Sequence, residues 1–182
     1  MGRQMDEQLA VLEQAIADKA LCAVNRDLID YLSIYGYPLQ ISENLVAIRF
    51  VYDFAPDGVK YIRTQDVTEV FCGEAEEFND KIVKAENAVL DFKAPALNAE
   101  SMKTLCTDLQ KSGELAAIAC EGYEESLFYV GKIVSAQDKQ AEVLCFDGLG
   151  VWDKKPIKLD YKKITCISIG TRYVDTISKY LK

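Results

Sequence analysis

The residues best suited to chemistry lie between positions 152 and 163, where Trp152, Lys154, Lys155, Lys158, Tyr161, Lys162 and Lys163 interleave aromatic rings with ammonium groups. Rings stack bases and ammonium groups hold phosphates, so this stretch is a candidate surface for single-stranded RNA. The same composition suits a solvated sheet edge on which lysines block pairing with other chains. Because aromatic-basic alternation is not a specific motif, the edge reading is the stronger one. A second set, Tyr35, Tyr37, Tyr52 and Tyr61, would line a groove for an extended peptide or pack half-buried in a sheet. The chain has no His, so the most available nucleophile is a thiolate. Cys72 just precedes a helix expected from Glu74, whose N-terminal dipole of roughly half a positive charge favours the anion. Glu74, Glu76 and Glu77 crowd the same turn and oppose it, which predicts a protonated, inert thiol.

Other chemistry is poorly supplied. The six cysteines, Cys22, Cys72, Cys106, Cys120, Cys145 and Cys166, include no CxxC pair and mostly sit among apolar neighbours, as buried free thiols do. Without His or paired cysteines no metal site is expected. Asp57-Gly58, after Tyr52-Asp53, reads as a turn rather than a calcium loop. No Gly-rich phosphate loop and no Ser-based nucleophile elbow is present, so neither catalysis nor a cofactor is expected.

Charge narrows the partners. Residues 1–98 carry 17 acids against 9 bases, a net of −8, whereas residues 99–182 carry 12 of each. A chain so balanced cannot rely on phosphate neutralisation, and RNA contact would have to be local. The longest wholly apolar run, Leu115 to Cys120, is far short of a membrane span, and the opening residues have no apolar signal region. A cytoplasmic location without membrane contact is expected.

These residues need elements to position them. Met5, Leu9, Leu12 and Ile16 share one face of a helix expected from 5 to 19. Short apolar 20–25, then 32–42 and 44–53, read as strands, with a turn at Ala55-Pro56-Asp57-Gly58. Residues 59–71 read as one long strand or two, and 74–86 as a helix. Met102, Leu105 and Leu109 mark a helix for which Asn98 or Ser101 is the cap and Gly113 the close. LAAIAC (115–120) is a short strand, 127–136, 141–147 and 157–169 form a meander, and Thr171 caps a final helix. Gly131, in mid-strand, marks a sharp bend or a close backbone approach, and the bend of a small barrel is the favoured reading.

The second half repeats the first. Leu32 and Gly36 match Leu127 and Gly131 at an offset of 95, Ile48 and Phe50 match Leu144 and Phe146 at 96, and Val67-Thr68, Val70 and Gly73 match Ile164-Thr165, Ile167 and Gly170 at 97. A helix followed by a bent meander with a mid-strand glycine resembles the Sm-like, SH3-like small barrel, and the duplication resembles bacterial tandem Sm-like proteins. The resemblance implies a mainly β, α+β fold of two small β-barrels, each preceded and followed by a helix, over residues 1–92 and 93–182. The RNA-reading aspartate and asparagine of that family would fall on Gln137 and Ala141 in one copy and on Ser42 and Val46 in the other. Cys72 and Ile169 precede Gly73 and Gly170 where the family has arginine.

The expectation is therefore a non-catalytic interaction module that binds a protein partner or acts as a scaffold, with a groove between the copies as its surface. RNA binding through residues 152–163 is one alternative, and a small-molecule sensor or enzyme between the barrels is another. Self-association through sheet edges is left open.

Overall fold

The computed structural model describes residues 2–122 and 126–182, with the side chains of residues 1–5, Met5 included, outside the described part. Helix α1 (Gly2–Asp18) buries Leu12 and Ala15 and lays Leu9 on the same core, the apolar stripe that its periodicity requires. It ends where Lys19 turns left-handed at φ 52°. Four strands follow, β1 (Cys22–Arg26), β2 (Asp30–Ile41), β3 (Leu45–Tyr52) and β4 (Ala55–Arg63), then a one-turn 3-10 helix at Thr64–Asp66, β5 (Glu69–Phe71) and α2 (Glu74–Glu86). A connection without helix or strand leads to α3 (Met102–Ser112). Ser101 Oγ accepts from Thr104 N at its start, and Gly113 closes it in the left-handed region at φ 68°. The second series is β6 (Leu115–Cys120), β7 (Leu127–Ala136), β8 (Gln140–Cys145), β9 (Ile157–Asp160), β10 (Cys166–Ile169) and α4 (Arg172–Ile177).

Among the described residues all ten strands join one antiparallel sheet in the order β5-β1-β2-β3-β4-β10-β6-β7-β8-β9. The fold is mainly β within an α+β arrangement, and the expectation of two closed small barrels is overturned. Closure requires the two outer strands of a series, β4 and β5 or β9 and β10, to pair with each other. Here β4 pairs instead with β10, Val59 facing Ile169 and Ile62 facing Cys166, while β5 and β9 stay open as edges. The sheet nevertheless runs through the same permutation of successive strands twice. Its main core draws Leu45, Ala47 and Tyr61 from the first series together with Leu105, Leu109, Ile118 and Ile167 from the second.

Pairing also corrects three local readings. Phe50 faces Gly36 and Cys145 faces Gly131, so the offset between series is still 95 there, one less than the apolar pattern implied. The hairpin between β3 and β4 turns at Asp53 and Phe54, both left-handed at φ 46° and 62°, and Ala55–Gly58 belongs to β4. The expected strand 157–169 breaks into β9 and β10, because Asp160 accepts at its carbonyl from Lys163 N and at its carboxylate from Lys162 N, making a turn. Gly131 serves a close approach rather than a barrel corner. A Cβ there would collide with the carbonyl oxygen of Leu144, and one on Gly36 with that of Arg49. Among the described residues no helix is long and apolar enough to cross a membrane.

Candidate functional site

Arg26, at the end of β1 beyond a register irregularity, turns its guanidinium toward Glu121, which follows β6. Its Nη1 donates to Glu121 Oε2 at 2.8 Å and its Nη2 to Oε1 at 3.3 Å, a forked pair that ties the two series together. Thr165 Oγ1 donates to the same carboxylate at 2.8 Å. The Arg26 side chain is only 3% exposed and that of Glu121 23%. Burial works against both charges, yet each partner holds the other ionised, so the Arg26 pKa rises and that of Glu121 falls below the usual carboxylate range. Arg26 Nε is buried without a hydrogen-bond partner.

Above this pair opens a pocket of about 430 Å³. Its walls come from the first half of β2, the last residues of β3 and the turn at Asp53-Phe54, with Phe50, Tyr52 and Phe54 among them, and from Asn79 and Val83 of α2. Lys60 on β4 places Nζ 3.9 Å from the centre of the Phe50 ring, a cation–π contact inside the site. The rim is apolar and exposed. Leu28 and Tyr31, the latter 89% exposed, stand at the β1–β2 turn, and Leu32, Tyr35, Tyr52 and Phe54 continue the patch. Asp30 and Asp53 line the same pocket, and Asp27 lies beside it with Leu28 and Tyr31. Contiguous exposed apolar surface rimmed by charge is the usual mark of an interaction site.

Of the four tyrosines proposed for a partner, Tyr35 and Tyr52 are in this site and Tyr37 and Tyr61 are not. Tyr37 is 1% exposed, donates its hydroxyl to Asp80 Oδ1 at 2.7 Å and meets Phe92 edge-on at 5.1 Å. Tyr61 is fully buried, its hydroxyl has no partner, and burial pushes its pKa up to about 12. Phe50, Phe54 and Leu32 were not among the expected binding residues, although aromatic residues at 50, 52 and 54 carry a period-two signal. Nothing local connects Arg26 with Glu121.

The basic-aromatic stretch is divided. Trp152 is half-buried, packed edge-on against Phe146 at 5.6 Å in a cluster with Leu115, Val174 and Leu181, and Lys132 lies over its ring. Tyr161 sits at the other end of β9, its hydroxyl donating to the Gln137 carbonyl at 2.9 Å. Tyr161 and Lys162 line a separate cavity with Arg63 and Asn44, and Arg63 Nη1 donates to the Lys162 carbonyl. Lys154, Lys155 and Lys163 are exposed, and Lys158 reaches Glu142 at 3.8 Å.

Cys72 is exposed, the other five cysteines are buried, and all six are free thiols. Contact with the Cys22 thiol lowers the Cys72 pKa from the ordinary thiol value, and burial and Glu76 oppose that shift. Among the described residues no cluster of His, Cys, Asp and Glu could hold a metal ion. Asp57, next to Gly58, accepts from Arg172 N at 2.6 Å. Compared with known proteins, the chain matches no family model, no curated protein and no solved structure.

Proposed function

We propose that the protein is a non-catalytic interaction module that docks a protein partner on the aromatic surface between the β1–β2 turn and the β3–β4 turn. One observation carries this reading: four large apolar side chains, Leu32, Tyr35, Tyr52 and Phe54, are left exposed around a pocket that the Arg26–Glu121 ion pair also lines, and exposed Leu28 and Tyr31 line a neighbouring pocket that shares Asp30 and Glu121 with it. Burying such side chains contributes on the order of 25 cal/mol per Å² of apolar area. The acids at the rim, Asp27, Asp30 and Asp53, favour a partner segment that presents an apolar side chain flanked by lysine or arginine. The test is selection from a random peptide library on the immobilised protein, followed by capture from cell extract with and without ribonuclease. Enriched basic-apolar peptides and a ribonuclease-resistant protein, both lost in Tyr52→Ser/Phe54→Ser, support the reading. RNA released by moderate salt and lost in Lys154→Glu/Lys155→Glu would replace it with binding on the basic hairpin.

Self-association through sheet edges is a second reading with its own support. The β4–β10 ladder already joins the two series, and the strands left over, β5 and β9, are bordered by opposite charges, Glu69 and Glu74 against Lys155 and Lys158. Gln8 Oε1 accepts from Val70 N at 2.7 Å and covers one outward donor of β5. Self-association would displace it, so Gln8→Ala should raise the molar mass seen by light scattering and Lys155→Glu/Lys158→Glu should lower it.

A further inference from the structure

Cys22 opens β1, and Cys72 follows directly on β5. The two strands pair with Val24 opposite Val70 and Ala23 opposite Phe71, so the next step of the ladder sets Cys22 opposite Cys72. The second series confirms the step. There β6 and β10 take the places of β1 and β5, and the counterparts of the two cysteines, Ala116 and Ile169, are paired directly. Val70 N points away from β1, toward Gln8, so Val24 and Val70 form a non-hydrogen-bonded pair and Cys22 and Cys72, two steps along, form another. Such pairs hold their Cα atoms about 4.5 Å apart, within the roughly 4.4–6.8 Å that a disulfide spans. The two thiols are close enough to shift each other's ionisation.

We propose that Cys22 and Cys72 are an oxidisable dithiol, a modification site at which a hydroperoxide closes a disulfide between β1 and β5. The two sulfurs differ in access and therefore in role. Cys72 is exposed beside a cavity of about 300 Å³, and Cys22 is fully buried behind it. A peroxide can reach only the exposed Cys72 sulfur, and the neighbouring thiol lowers the pKa of Cys72 while it and burial raise that of Cys22. Cys72 thiolate attacks a peroxide oxygen and the O–O bond breaks. The sulfur, oxidised by two electrons, becomes a sulfenic acid, and the departing alkoxide or hydroxide takes up a proton to leave as alcohol or water. Cys22 sulfur then attacks Cys72 sulfur, and the S–O bond breaks as water leaves with the Cys22 proton. In sum two thiols and one hydroperoxide give a disulfide, one alcohol or water from the peroxide, and one further water.

The test treats the native full-length chain with one equivalent of hydrogen peroxide, then denatures it, alkylates it with N-ethylmaleimide and measures its mass. The untreated chain has six free thiols to label. The treated chain should take two labels fewer, with a linked peptide pair containing Cys22 and Cys72 and a melting temperature several degrees higher. Cys72→Ser, a change at an exposed position, should keep all its remaining labels after peroxide. Cys22→Ser should leave Cys72 as a sulfenic acid that dimedone traps. A full set of labels, a sulfinic acid on Cys72 with Cys22 still labelled, a link between other cysteines, or a disulfide between two chains would each overturn the proposal.

Discussion

Glu121→Ala should be among the most damaging single changes outside the apolar core. It leaves the guanidinium of Arg26, 3% exposed, without its carboxylate partner. Removing one member of a buried pair costs about 3–5 kcal/mol. Glu121 is itself 23% exposed, so water relieves part of the loss and the lower end, about 3 kcal/mol, applies. For a chain of this size that corresponds to a fall in melting temperature of roughly 6–12 °C. Replacing both partners, Arg26→Met with Glu121→Met, should recover most of the loss, giving a coupling of about 2 kcal/mol in a double-mutant cycle read from urea midpoints. pH supplies an independent check. The Glu121 pKa is depressed in the folded chain, with burial opposing and Arg26 and Thr165 outweighing it. Its contribution is therefore complete above the unfolded carboxyl value of about 4.3 and is lost as pH falls through the lower folded value. Glu121→Gln should flatten that acid limb. A coupling below about 0.5 kcal/mol, or an acid limb unchanged in Glu121→Gln, would refute the claim that this pair joins the two series.

Two further predictions concern the sheet itself. Gly36→Ala and Gly131→Ala should each destabilise by more than about 2 kcal/mol, because the new Cβ meets a backbone carbonyl oxygen that cannot move aside as a side chain would. Gly148→Ala, with open space around it, should change urea stability by less than about 0.5 kcal/mol. Tyr61→Phe removes a buried hydroxyl that has no partner and should stabilise by about 1 kcal/mol, seen as a rise of roughly 2–4 °C in melting temperature.

Much of the local structure was legible because its causes are local. The helix at Glu74–Glu86 and the strands at Leu115–Cys120 and Leu127–Ala136 follow from periodicity and from caps such as Ser101 and Gly113. What failed depends on partners far away in sequence. Pro56-Asp57-Gly58 has the composition of a turn, yet Pro56 lies opposite Val51 beside a register irregularity and Asp57 accepts from Arg172 N, 115 residues later. The run from Ile157 to Lys162 alternates apolar and polar residues as one continuous strand would, and the Asp160 turn together with the pairing of β10 to β4 and β6 separates β9 from β10. Whether β4 closes its own barrel or joins the other series is the same kind of choice. Both outcomes bury the same alternating side chains, so hydrophobic pattern alone does not decide between them.

The candidate site was half legible for a related reason. Tyr35 and Tyr37 are two residues apart on β2 and share a face by strand geometry, yet one is exposed and the other buried. The difference lies in what covers them. α2 brings Asp80 to the Tyr37 hydroxyl, and Val83, Leu90 and Phe92 pack with Tyr37, Leu21 and Val51 in a small core. That cover ends before Tyr35. Tyr52 lies on the opposite face with Phe50, which faces Gly36, and it stays exposed with Phe54 although Asn79 and Val83 of α2 border the same pocket. Strand composition thus specifies a surface able to bind, and the reach of α2 decides which part is already occupied. Full helical cover would bury these side chains as core, and their exposure is what the proposed docking of a partner segment requires.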